Sequence, residues 1–189
     1  MIKTWSIFVI LLLPLFDLAF QVLVVEVIDP IKYIYTYTGT MAIILLFTAT
    51  CLSLIKHKIN VLNHRRMIGL FAFFYAFLHF FNFYVFDSEL DVDFVIQESL
   101  DKPFIYLGMI SFSILIFMAI TSTQKLYRKF NKYHRFVYLV LVLITIHFIM
   151  AQKALSMAQW VYLFSIIIII CFKLRQKKDL IFKPKSDLK

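Results

Sequence analysis

The chain has 189 residues, 62% of them hydrophobic, with a mean hydropathy of +0.84 and a formal charge of +9. That apolar content is far above the half or so usual in soluble domains. It excludes a water-soluble enzyme and points to a compact helical membrane protein. The basic residues stand in blocks between apolar runs, the pattern of a topology signal and not of a nucleic-acid stripe.

A span needs about 20 apolar residues. Six segments qualify, near 5–28, 33–55, 67–86, 103–124, 136–152 and 154–173, so the expected fold class is an all-α bundle of six transmembrane helices. The first apolar stretch, after Lys3, is too long for a secretory h-region and has no small-residue cleavage site after it, so it reads as an uncleaved span. Asp17 sits inside it, and a carboxyl in lipid must be protonated or paired. It faces the bundle interior or serves proton uptake on this reading. Cys51 and Cys171 lie within apolar runs and read as small buried hydrophobes, not as a disulfide. The last two spans are separated by little more than Lys153, with a short turn expected near Gln152 to Met157.

Orientation follows from the connections. Residues 56–66 carry four basic side chains, 125–135 carry five and the tail from 173 carries seven, against Lys32, Lys102 and Lys153 on the other side. Both termini are therefore expected in the cytoplasm. The domain reading is a transmembrane unit over 1–172 and a basic cytoplasmic tail over 173–189, suited to anionic lipid. The longest outer connection, 87–102, holds six acids and one lysine. It reads as a solvated loop or as a docking face for a partner outside the membrane.

Five histidines are present. His79 and His147 each interrupt a long run with no other ionisable side chain, and such residues at bilayer depth are functional candidates by default. His79 lies thirteen residues from Arg66, about 20 Å along a helix, and His147 twelve from Arg135, about 18 Å. Two imidazoles level on different helices suit one iron, because neutral imidazole is a good iron ligand. The bland reading of each is a hydrogen bond to a neighbouring helix, and of the aromatic string "FAFFYAFLHFFNFYVF" simple packing. His134 stands thirteen residues before His147. In an ideal helix the two side chains diverge by about 140°. It lies at the inner boundary, within reach of a second haem or a cytoplasmic donor, or it is a solvated interfacial residue. His64 lies at a similar inner depth and could oppose His134, but beside Arg65 and Arg66 it is expected to face water, and His57 is expected at the surface. There is no G-x-G-x-x-G, P-loop, H-E-x-x-H or C-x-x-C, so any electron donor must dock from elsewhere.

Four strings, "DPIKYIYTYTGT" (29–40), "RRMIGLFAFFYAFLH" (65–79), "KPFIYLGMISFSILIFMAITSTQ" (102–124) and "HRFVYLVLVLITIH" (134–147), resemble in order and spacing the MsrQ (YedZ) family. These are haem-binding membrane subunits of the periplasmic methionine sulfoxide reductase system, in the ferric reductase-like transmembrane group. The resemblance implies a six-helix, multi-pass b-type cytochrome of the bacterial inner membrane. It would pass electrons from a cytoplasmic flavin reductase or quinone to a periplasmic molybdopterin reductase. It also implies haem b, one or two, with FMN ascribed to the family as well, and haem ligands at His79, His134 and His147. The segment before His134 is short and lacks the family's tryptophan, and "YTYTGT" replaces a stretch where relatives often carry histidine and arginine. The alternatives are a ferric or quinone reductase of the same fold, or a cofactor-free small transporter or scaffold.

Overall fold

The structure is a computed structural model and describes residues 4–55, 62–152, 157 and 160–169. The expectations for His57, Cys171 and the basic tail lie outside the described residues. The chain divides into two units, 1–148 and 149–189. Among the described residues there are helices and turns and no strand.

Helix α1 covers Thr4–Leu23 and α2 Pro30–Ile55. The apolar run of the first span extends to Ile28, yet the helix ends five residues earlier. The chain turns through Glu26 at φ 55° and restarts at a built N-terminus. There Asp29 accepts the Lys32 backbone N–H at 3.0 Å, and Pro30, whose missing N–H is no loss there, opens the helix. Helix α3, Leu62–Asn82, runs on through a π-helical turn, Phe83–Asp87. It begins inside the basic connection, so Arg65 and Arg66 belong to its first turns.

The expected loop 87–102 is not a plain loop. It contains helix α4, Val92–Asp101, capped by Asp91, whose carboxylate accepts from the backbone N–H groups of Asp93 and Phe94. Val95 and Ser99 bury its inner edge. Pro103 opens α5, Pro103–Ile120. The second basic connection folds as a short helix α6, Gln124–Phe130, and a 3-10 turn, Asn131–Phe136, before α7, Val137–Ala151. Among the described residues, five helical segments are long and apolar enough to cross a membrane. In the second unit the described apolar helix α8, Trp160–Ile169, is ten residues, within the sixth segment expected.

Polar side chains within the spans are satisfied close to home, as a lipid setting demands. Thr38, Thr50, Ser111 and Thr145 each donate to the carbonyl four residues back. Helices α1, α2 and α3 close over Leu11, Ala49, Ile68, Phe71 and Tyr75, and the buried Tyr75 hydroxyl donates to the Leu11 carbonyl at 3.1 Å. Cys51 is a free, half-buried residue of α2. Asp17 is paired, but not in the bundle interior. It lies on the exposed side of α1 and accepts a hydrogen bond from Tyr37 of α2 at 2.9 Å. Removing that donor strands the carboxyl beside lipid. Tyr37→Phe should therefore lower stability by about 1 kcal/mol, read by reversible unfolding in mixed micelles. Asp17→Leu combined with Tyr37→Phe should recover part of that loss.

Candidate functional site

The acidic connections 24–29 and 87–102 mark one end of the bundle and the arginines and lysines near 65 and 125–135 the other. His79 and His147 meet toward the acidic end. Their ring centres are 6.4 Å apart and the ring planes cross at 89°. The depths counted along the two helices thus agree with the folded position.

Each imidazole sits in a seat built by a neighbouring helix. His79 of α3 donates from Nδ1 to the Tyr35 carbonyl of α2 at 3.0 Å, with the Tyr35 ring centre 4.1 Å from its own. His147 of α7 donates from Nδ1 to the Phe104 carbonyl of α5 at 2.6 Å, with the Phe104 ring centre 6.0 Å away. One helical turn beyond each carbonyl stands a glycine. A Cβ on Gly39 would lie 2.9 Å from Cε1 and Nδ1 of His79, and one on Gly108 would lie 3.0 Å from the same atoms of His147.

The hydrogen bonds commit both Nδ1 atoms and leave Nε2 of each ring without a partner among the described residues. A donor on one ring nitrogen is how a metal-bound imidazole is usually oriented. Metal–nitrogen bonds of about 2 Å put the centres of two imidazoles on one metal about 6 Å apart, as found here. Asn82, one turn after His79, is buried, gives its Nδ2–H to the Ile31 carbonyl at 3.3 Å, and has an Oδ1 with no partner among the described residues. A buried amide oxygen normally has one, and a polar group of a bound cofactor or an ordered water would supply it. The pair therefore fits haem iron held between two neutral imidazoles. Part of the aromatic string is simple packing. Phe73 and Phe80 stack on Phe112 of α5 at 6.0 and 4.9 Å, and Phe77 and Phe81 are exposed.

His134 is not brought to this pair. It lies in the 3-10 turn that precedes α7, so the ideal-helix angle between it and His147 does not apply. Its Nε2 is 3.2 Å from the Thr121 hydroxyl, and its ring centre is 4.8 Å from that of Tyr127. It lines a cavity of about 270 Å³ at the basic end, together with Arg65, Arg66, Gly69, Gln124 and Tyr127. Arg66 reaches Ser122 across that cavity at 3.3 Å. His64 is half-buried and does not line it.

Sequence reasoning missed the two glycines and the two carbonyls. The signal was present. The chain has only three glycines, and "YTYTG" at 35–39 and "FIYLG" at 104–108 share the pattern aromatic-x-Tyr-x-Gly.

These features define a helical membrane protein built around a paired-imidazole site. A family profile described as ferric reductase like transmembrane component matches residues 38–151. A protein of Pectobacterium carotovorum named protein-methionine-sulfoxide reductase heme-binding subunit MsrQ is 34% identical over 156 residues, 78% of each chain. Proteins of the same name from Rhizobium meliloti and Brucella ovis are 32% and 33% identical. They cover 65% and 67% of this chain, which spans 58% and 60% of theirs. No solved structure matches. The chain belongs to the ferric reductase-like transmembrane family, in the branch that contains these subunits, and is a multi-pass protein of the bacterial inner membrane.

Proposed function

We propose that the protein is a b-type cytochrome that carries electrons through the inner membrane to a periplasmic methionine sulfoxide reductase, a molybdopterin enzyme. The observation that carries this reading is the paired seating of His79 and His147, with neither Nε2 bonded among the described residues and the rings at the separation one iron requires. Haem held by His79 and His147 would supply a one-electron ferric/ferrous couple, suited to electron transfer and not to substrate binding. The chain holds the imidazoles, fixes their tautomers and excludes water with aliphatic and aromatic walls. Reducing one sulfoxide takes two electrons and two protons and releases water, so the partner must receive two electrons for each sulfoxide it repairs. Neither cysteine sits in a C-x-x-C pair, so the haem is held without thioether links.

His134 and the basic cavity serve a second haem near the inner surface, or the point where a cytoplasmic flavin reductase or quinone delivers electrons. FMN, as an anionic planar group, would suit the same two guanidinium groups. In the proposed topology all six apolar segments span, both termini are cytoplasmic, and residues 173–189 form a separate basic tail. The acidic end is then periplasmic. There α4 offers a docking face. Val92, Ile96 and Leu100 expose an apolar stripe at spacing four, amid exposed Asp87, Glu89, Asp91, Asp93 and Asp101.

The test is the haem content and visible spectrum of the purified protein. The reading requires sharp reduced-state α and Soret bands. His134→Ala should keep one haem per chain and lose any second one. A colourless preparation would favour a transporter or scaffold. A haem protein that reduces ferric chelates or quinone but not the soluble sulfoxide reductase would favour a ferric or quinone reductase of this fold.

A further inference from the structure

The two halves of the site are built alike. In α2, Tyr35 supplies a carbonyl and an aromatic wall to His79, and Gly39 supplies the space one turn on. In α5, Phe104 and Gly108 do the same for His147. The histidines follow their glycines by 40 and 39 residues, each on the next long helix of the bundle. Neither glycine has a positive φ, so neither is there for backbone freedom. A helix-interior glycine costs about 0.5–1 kcal/mol relative to alanine, which sets what the empty Cβ position must outweigh. Both empty positions face the same two atoms of an imidazole, Cε1 and Nδ1, at 2.9 Å for Gly39, a distance real Cβ contacts essentially never show, and at 3.0 Å for Gly108, tighter than nine in ten of them. Each ring is thus gripped on its Nδ1 edge by a carbonyl and admitted by a glycine, which fixes its rotation as well as its place.

The consequence lies in the angle between the rings. We propose that the Tyr35–Gly39 and Phe104–Gly108 seats hold the imidazoles of His79 and His147 in crossed planes, so that an iron bound between them carries perpendicular axial ligands. This rests on the haem reading above and adds a property of the chain itself. Imidazole planes that cross at right angles treat the two iron dπ orbitals alike and leave them nearly degenerate. Parallel planes single one out and split them. A low-spin ferric iron reports the difference directly. Crossed planes give a strongly anisotropic EPR signal with one large g value, and parallel planes give a rhombic signal with three resolved g values. Orientation of axial ligands by their surroundings is one of the levers a protein has over haem.

The experiment is low-temperature EPR of the oxidised, haem-loaded full chain, recorded with His134→Ala so that an inner haem does not contribute. The single large-g signal is expected. Gly39→Ala and Gly108→Ala should each move it toward the rhombic form or convert part of it to a high-spin signal, because the new methyl must displace the ring. Tyr35→Leu keeps the carbonyl and the glycine and removes only the wall, so it should move the signal less, in the same direction. It also serves if an alanine variant does not fold. A rhombic signal from the parent protein, or glycine variants with an unchanged line shape, would overturn the proposal while leaving bis-histidine haem intact. A parent protein with haem but no low-spin signal, or with no haem, would overturn the haem reading and this proposal with it.

Discussion

Replacing either His79 or His147 with alanine is expected to abolish the low-spin spectrum and to lower haem retention by about 100-fold or more. Loss of a supporting contact behind a metal ligand already costs roughly 10- to 100-fold, and here the ligand itself is lost. The two variants should behave alike, because the two seats are alike. Each leaves one imidazole still hydrogen-bonded to its carbonyl, so the remaining haem should be five-coordinate and high-spin. Added imidazole should restore the low-spin bands by filling the space the side chain left. Circular dichroism at helical wavelengths should change little, since both residues lie on helices held by other contacts. Measuring the bands with and without imidazole separates loss of a ligand from loss of fold.

The second large effect is expected at α4. The segment 87–102 carries six acids and one lysine, a net −5, and Lys102 is engaged by Glu98. Asp93→Lys with Asp101→Lys adds four charges and brings the segment to −1. Neither residue caps the helix, so α4 should persist. If a basic partner is steered there, its association with the reduced protein should slow by about tenfold or more at low ionic strength. The difference should vanish near 1 M salt, where the screening length is about 3 Å. Ile96→Ser should act differently, weakening the complex at all salt concentrations through faster dissociation. Stopped-flow oxidation by the soluble sulfoxide reductase subunit reads both. Unchanged rates for all variants would mean that α4 meets lipid or water instead.

Much of this architecture can be read from residues alone, for physical reasons. Hydropathy reports transfer to lipid, so it finds α1, α2, α3, α5 and α7. It does not report where a helix stops. The run from Val24 to Ile28 is apolar but for Glu26, and α1 nevertheless ends at Leu23, because the chain turns at Glu26 ahead of the Asp29–Pro30 start of α2. Depth is also legible, because the rise per residue is constant. That is why His79 and His147 could be matched before any fold was known.

What escaped was local and tertiary. Helix α4 was hidden by its charge. Acids are poor topology signals, and its pattern of buried Val95 and Ser99 covers only one edge of three turns. The position of His134 was hidden by the 3-10 turn at Asn131–Phe136, which breaks the periodicity that an angular estimate assumes. The seats were hidden because half of each is backbone. A carbonyl of Tyr35 or Phe104 leaves no mark in composition, and Gly39 or Gly108 gains its meaning only when an imidazole is found against it.

The sharing of one iron by two level imidazoles is tested most directly by an experimental structure of the haem-loaded protein in a lipid nanodisc. Nε2 of His79 and Nε2 of His147 should each lie about 2 Å from the same iron, on opposite faces of one porphyrin. A haem bound through only one of these residues, or the two rings bonded to each other's helices with no metal between them, would contradict it.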